Sequence, residues 1–86
     1  GGKFLKVGVV HEMNPGKKTN VVEGKLVPEA ETKILDTTLQ MFRSVKIDDL
    51  DAAKQDELKK RLKEDLNKTQ GEGSVYDVYI TSFVLQ

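Results

Sequence analysis

Residues 62–86 read LKEDLNKTQGEGSVYDVYITSFVLQ, and this stretch contains a helix end, a glycine-rich stop and a closing β-strand. Leucines one helical turn apart, within an otherwise charged segment, are typical of a helix with a narrow apolar stripe. Gly71 and Gly73 are expected to end that helix. From about Ser74 to Gln86, β-branched and aromatic residues predict a strand. The chain is therefore expected to close on a strand that follows a helix.

The closing strand carries apolar side chains on both faces. A chain of 86 residues has too little protein of its own to cover both, so a neighbouring subunit is expected to cover the second face. We therefore predict self-association through Tyr79, Phe83 and Leu85, with burial inside the chain's own domain as the alternative. Strict alternation puts Tyr76, Val78, Ile80 and Val84 on one face, and Asp77, Tyr79, Thr81, Phe83 and Leu85 on the other.

Composition limits the classes of function that this chain can serve. The 86 residues make one domain, and 14 basic residues balance 14 acidic ones without forming a basic stripe, so no nucleic-acid partner is expected. There is no cysteine, which excludes disulfides, thiol nucleophiles and thiolate zinc sites. Gly1-Gly2 is interpreted as a remnant of cloning, and residues 3–86 are interpreted as the domain.

Upstream, the pattern predicts one strand, a turn and two helices. Lys3 to Glu12 reads as a strand with alternating faces, in which Phe4 and Val10 are apolar exceptions, and Gly8 marks a bulge or a close backbone approach. A turn follows at Asn14-Pro15-Gly16. Whether Val21-Val22 adds a short second strand is left open.

The first helix is predicted to start at Pro28, because proline suits the first helical position. A second helix is predicted from a cap at Asp48 or Asp49 to about Lys68. The fold class is therefore α+β, a small antiparallel or mixed sheet with two helices packed on one face. The expected stripe of the first helix comprises Ala30, Ile34, Leu35, Thr38, Leu39, Met41 and Phe42, and that of the second comprises Leu50, Ala53, Leu58, Leu62 and Leu66.

No group of residues indicates catalysis, a metal site or a cofactor. His11 is the only histidine and is interpreted as a solvated or edge residue. Gly71-Glu72-Gly73 closes a helix and opens a strand, the reverse of a phosphate-binding loop. A polar loop is a second candidate for partner binding, because loops often carry recognition. Its candidate residues are Asn14, Lys17, Lys18 and Asn20.

The closing residues VYDVYITSFVLQ resemble the strand V-x-D-V-Y-F-T-x-F-V-V-Q that ends chains of the FliL family, which belongs to the bacterial flagellar basal body. Leu62…Leu66-Asn67 is similar to the family's helix end, and Phe4–Val9 is similar to its first strand. Leu26 to Leu35 is similar to its first helix start. The family's arginine in that helix falls on Glu31, and its Gly-Lys falls on Lys54-Gln55.

The resemblance implies a non-enzymatic accessory of the flagellar motor with a fold similar to the stomatin/prohibitin module. It also implies association with the stator units, support of their torque in swimming and swarming, and assembly into rings. The domain would lie in the periplasm, anchored in the inner membrane by one preceding helix. A different class of function stays open, namely a monomeric protein-binding or inhibitor-like module that uses the loop from Asn14 to Asn20.

Overall fold

The computed structural model describes residues 5–46 and 51–85, and the side chains of Leu5 and Leu85 lie outside that description. The element order within these ranges confirms the predicted α+β class, with an antiparallel sheet. Likeness to the stomatin/prohibitin module stays a prediction. The strands are β1 (Leu5–Met13), β2 (Val21–Val22), β3 (Lys25–Leu26) and β4 (Val75–Leu85), and the helices are α1 (Pro28–Arg43) and α2 (Ala52–Gln70).

The main sheet consists of β1 and β4, which pair in antiparallel orientation. The short strands β2 and β3 form a separate hairpin, of which the sequence indicated only the first strand. The hairpin turn is Glu23-Gly24, and both residues have positive φ, at 53° and 76°. This conformation is the one that two-residue hairpin turns prefer, because it matches the twist of the strands.

Helix α1 begins at Pro28, as predicted, with Glu29 and Glu31 in its first turn. Helix α2 begins later than predicted, since its N-cap is Asp51, whose carboxylate accepts a hydrogen bond from the backbone N–H of Lys54 at 2.8 Å. The proposed caps at Asp48 and Asp49 lie outside the described residues, as does Leu50. Ala53, which was predicted to belong to the apolar stripe, is the second residue of the helix and is exposed.

The core lies between α2, α1 and one face of the main sheet. Helix α2 packs against β4, and α1 packs against α2. Three leucines of α2, at one-turn spacing, are the centre of this core and are at most 1% exposed. They are joined in one cluster by residues of α1 and β4, and the cluster comprises Ile34, Met41, Leu58, Leu62, Leu66, Val75 and Val78.

Candidate functional site

The register of the main sheet is irregular at two positions in β4. Gly8 pairs with Ser82 and Val9 with Ile80, so Thr81 has no opposite residue. Glu12 pairs with Asp77 and Met13 with Val75, so Tyr76 also has none. Each extra residue is a β-bulge, and a bulge reverses the alternation of side chains along the strand beyond it.

These bulges correct the predicted faces of β4. Phe83 pairs with Val7, which lies on the helix side of the sheet, and it is half-buried there. Tyr79 pairs with Val10 on the opposite side and is 43% exposed. The prediction that Tyr79 and Phe83 share a face was therefore wrong, because strict alternation does not continue through Thr81. The backbone of Leu85 pairs with Leu5, but its side chain lies outside the described part of the structure.

The solvent-exposed side of the main sheet, which we call the outer face, combines apolar and charged groups. Val10, Tyr79 and Val84 are 49%, 43% and 44% exposed. Val10 pairs with Tyr79 across the strands, and Val84 pairs with Lys6. Isolated exposed apolar residues are ordinary, whereas a group of them on one sheet face indicates an interaction surface. Of these three residues, Val10 was noted in the sequence, because it is an apolar exception to the alternation of β1.

Tyr79 is held in place on the outer face by polar neighbours. Its hydroxyl donates a hydrogen bond to Glu12 Oε2 at 2.9 Å, and Lys59 Nζ lies 5.9 Å from the centre of its ring. The hydrogen bond to Glu12, followed by the negative charge of Asp77, raises the pKa of Tyr79 from 10.0 to about 12. Tyr79 is thus an exposed but oriented aromatic group, which is the kind of residue that anchors protein interfaces.

A second surface is the groove between β1 and α1, with a volume of about 420 Å³. Its floor is the helix side of β1, and its wall is a face of α1 that includes Leu35 and Leu39. These leucines are 58% and 45% exposed, so two of the seven residues in the stripe predicted for α1 face the groove rather than the core. The residues lining the groove are Val7, Val9, His11, Leu35, Thr38, Leu39, Phe42 and Arg43.

His11 lies half-buried in this groove, on β1, which is an edge strand of the described sheet. The interpretation as an edge residue therefore agrees with the structure, and the interpretation as a solvated residue does not. The hydroxyl of Thr38 donates its single proton to the carbonyl oxygen of Ile34 at 2.8 Å. The 3.1 Å contact between His11 Nε2 and Thr38 Oγ1 therefore requires that Nε2 carries the hydrogen and donates it. Burial lowers the pKa of His11 below its ordinary value of 6.5, so the ring is neutral at pH 7.

The polar loop between β1 and β2 is held by its own hydrogen bonds. The backbone N–H of Asn14 donates to the carbonyl of Ser74, and the Asn14 carboxamide donates to that of Gly73 at 3.0 Å. Asn20 is 2% exposed, so it is not available to a partner. Of the predicted loop contacts, Lys17 is half-buried and Lys18 is exposed. The partner role of this loop stays a prediction for Asn14, Lys17 and Lys18.

Metal sites and membrane-spanning helices can be assessed for residues 5–46 and 51–85. Within these ranges, no three histidine, aspartate or glutamate side chains are grouped so that they can hold a metal ion. No helix in the same ranges combines the length and the apolar character needed to cross a membrane.

Comparison with known proteins gives one match. A family model described as flagellar basal body-associated protein FliL matches residues 1–86. No curated protein and no solved structure gives a significant match. The family match spans both surfaces described above, the outer face and the groove.

Proposed function

This chain belongs to the FliL family and is a flagellar basal body-associated protein, and we propose that it acts on the stator units of the motor. In this proposal the domain is a non-enzymatic accessory that binds the periplasmic part of the stator. Binding stabilises the engaged form of the stator and so supports torque during swimming and swarming. The domain would lie in the periplasm, held at the inner membrane by a preceding helix.

The observation that carries this proposal is the outer face. Val10, Tyr79 and Val84 are 43–49% exposed on one side of the sheet, where the Lys59 ammonium of α2 lies near the Tyr79 ring. Fully burying an exposed apolar side chain is worth roughly 1.5–3 kcal/mol, and about half of that remains for each of these partly covered side chains. Tyr79 is already oriented by Glu12, so less conformational entropy is lost on binding. This face therefore suits a protein partner better than a small molecule.

Self-association is the second part of the proposal. Tyr79, Phe83 and Leu85 remain the proposed contact residues, although the first two belong to different sides of the sheet. With Tyr79 on the outer face and Phe83 half-buried on the helix side, a neighbouring copy would have to contact the end of β4 from both sides. We propose that this contact, repeated from copy to copy, assembles the domains into a ring.

The experiment is cross-linking from single cysteines in motile cells, because the chain contains no cysteine of its own. Tyr79→Cys and Phe83→Cys are compared with Glu64→Cys, which is an exposed position on α2. We expect adducts to the stator from position 79, adducts to another copy from positions 79 and 83, and neither from position 64.

Two results would contradict the proposal. One is equal adduct formation from all three positions, which would indicate non-specific proximity. The other is a strict monomer that yields no stator adduct at any position, which would favour the monomeric protein-binding module and its contact at Lys17 and Lys18. A Val10→Asp variant gives a second readout, since it adds charge to the outer face without touching the core. We expect reduced swarming from this variant at normal protein levels.

A further inference from the structure

The free edge of β1 is the strongest remaining feature of the molecule. Within the described residues, β1 has β4 as its single hydrogen-bonded neighbour, so the other edge of a nine-residue strand is unpaired. An edge of this length presents a row of N–H and C=O groups that can pair with another strand. The groove lies beside this edge, between β1 and α1.

The opposite edge of the sheet, on β4, is protected in ways that β1 is not. The bulges at Tyr76 and Thr81 interrupt the regular spacing of its backbone groups. Lysines of α2 also lie near it, and Lys59 contacts the Tyr79 ring. Bulges and lysines are the devices by which natural sheets prevent edge pairing. The sheet therefore has one protected edge and one open edge.

We propose that β1 pairs in antiparallel orientation with β1 of a second copy of this chain, around a two-fold axis at Val9. Centred there, the register places Lys6 opposite Glu12 of the second copy, and Glu12 opposite its Lys6. Both side chains are exposed on the outer face, so the two opposite charges meet on the same side of the joined sheet.

The same register also places compatible side chains opposite each other at the remaining positions of the strand. On the helix side, Val7 lies opposite His11 of the second copy, and Val9 lies opposite itself. On the outer face, Gly8 lies opposite Val10, where the absence of a side chain leaves room for the exposed valine. A shift by one residue would put apolar side chains against charged ones and turn each strand over.

Pairing would also extend the apolar floor of the groove. The valines of the second strand continue the floor formed by Val7 and Val9, next to Leu35 and Leu39 on α1. These two leucines are otherwise exposed to water. The result is a four-stranded sheet in the order β4-β1-β1-β4, in which both remaining edges are the protected ones.

This contact is separate from the ring contact proposed at the end of β4, because a two-fold β1–β1 pair is complete with two copies. It does not depend on stator binding. It is tested on the purified 86-residue chain with two single-cysteine variants, Lys6→Cys and Glu12→Cys. Directly opposite residues in an antiparallel pair are close enough for a disulfide, whereas residues more than about 7 Å apart at Cα cannot be bridged. We expect a mixed disulfide when the two variants are combined, and no disulfide dimer from either variant alone.

Charge-reversal variants test the same register independently, with self-association measured by sedimentation. Lys6→Glu alone, or Glu12→Lys alone, puts like charges opposite each other at both ends, and we expect self-association to weaken about tenfold. Mixing these two variants restores opposite charges at every cross-strand pair, so a heterodimer is expected. Lys25→Glu is the matched control, an exposed lysine on β3 that should leave self-association unchanged.

The proposal is overturned if the mixed disulfide forms no faster than the unmixed ones, or if mixing the charge variants restores nothing. It is also overturned if Lys25→Glu weakens self-association as much as Lys6→Glu does. Failure here would leave the cross-linking test of stator contact at Tyr79 unaffected, so the two ideas are separable.

Discussion

The carboxamide of Asn67 binds both polar backbone atoms of Val75. It donates to the carbonyl of Val75 at 3.1 Å and accepts from its N–H at 2.8 Å. This pair of hydrogen bonds joins the last turns of α2 to the first residue of β4, where Val75 is 2% exposed. Gly71 and Gly73, which follow α2 with φ of 104° and 77°, turn the chain so that Asn67 and Val75 meet.

Removing this side chain should therefore destabilise the fold. We expect Asn67→Ala to lower the free energy of unfolding by about 2 kcal/mol, because it leaves two buried backbone groups without partners. Asn67→Asp keeps the acceptor but puts a carboxylate oxygen against the carbonyl oxygen of Val75, so its effect should be at least as large. Urea denaturation measures both. An alanine variant as stable as the original chain would show that water replaces the carboxamide at no cost.

Gly8 is required by the bulge that it faces. A Cβ atom at this position would lie 2.6 Å from the hydroxyl oxygens of both Thr81 and Ser82. We expect Gly8→Ala to destabilise the domain by about 1–3 kcal/mol, the usual range for an overpacked contact. In a Thr81→Ala, Ser82→Ala background the same substitution should cost less, since the two hydroxyls are gone. Equal costs in the two backgrounds would contradict a steric origin.

The core leucines of α2 should dominate stability. Leu62 is 1% exposed, whereas Leu35 on α1 is 58% exposed and faces the groove. We expect Leu62→Ala to lower the free energy of unfolding by about 2–5 kcal/mol, through lost burial and the cavity that remains. Leu35→Ala, the matched control for the same truncation, should change stability little. Thermal unfolding followed by circular dichroism compares them.

His11 should make stability fall in mild acid. Its pKa is lowered by burial, so the unfolded chain takes up a proton at a higher pH than the folded chain does. The stability that His11 contributes is complete above pH 6.5 and is lost as the pH falls from 6.5 through the lower folded pKa. Carboxylates add their own acid dependence, so the measured quantity is the difference from His11→Gln. That variant should lose part of the slope just below pH 6.5, and an unchanged slope would count against the burial of the ring.

Tyr79 should make stability fall at high pH. Its pKa is raised from 10.0 to about 12, so the unfolded chain releases its proton first. The stability it contributes is present below pH 10 and is lost as the pH rises from 10 through about 12. The absorbance of tyrosinate follows the titration directly, and Tyr79→Phe identifies the signal. We expect Glu12→Gln to bring the pKa of Tyr79 closer to 10, because the acceptor loses its charge.

The sequence by itself determined the elements and the fold class. The start of α1 at Pro28, the end of α2 before Gly71 and the extent of β4 all follow from local preferences of proline, glycine and β-branched residues. The three core leucines follow from helical spacing. Gly8 was correctly interpreted as the mark of a bulge, because the register of the sheet shifts between Gly8 and Val9.

The tertiary structure alone decided which side chains share a surface. The faces of β4 depend on where the two bulges lie, and these are set by the pairing with β1 rather than by the sequence of β4. The groove and the burial of His11 depend on how α1 packs against α2. This packing leaves part of the apolar stripe of α1 facing β1. Local sequence encodes periodicity, whereas strand register and helix placement are set by contacts between segments that are distant in the chain. A single bulged residue is enough to move Phe83 to the other side of the sheet.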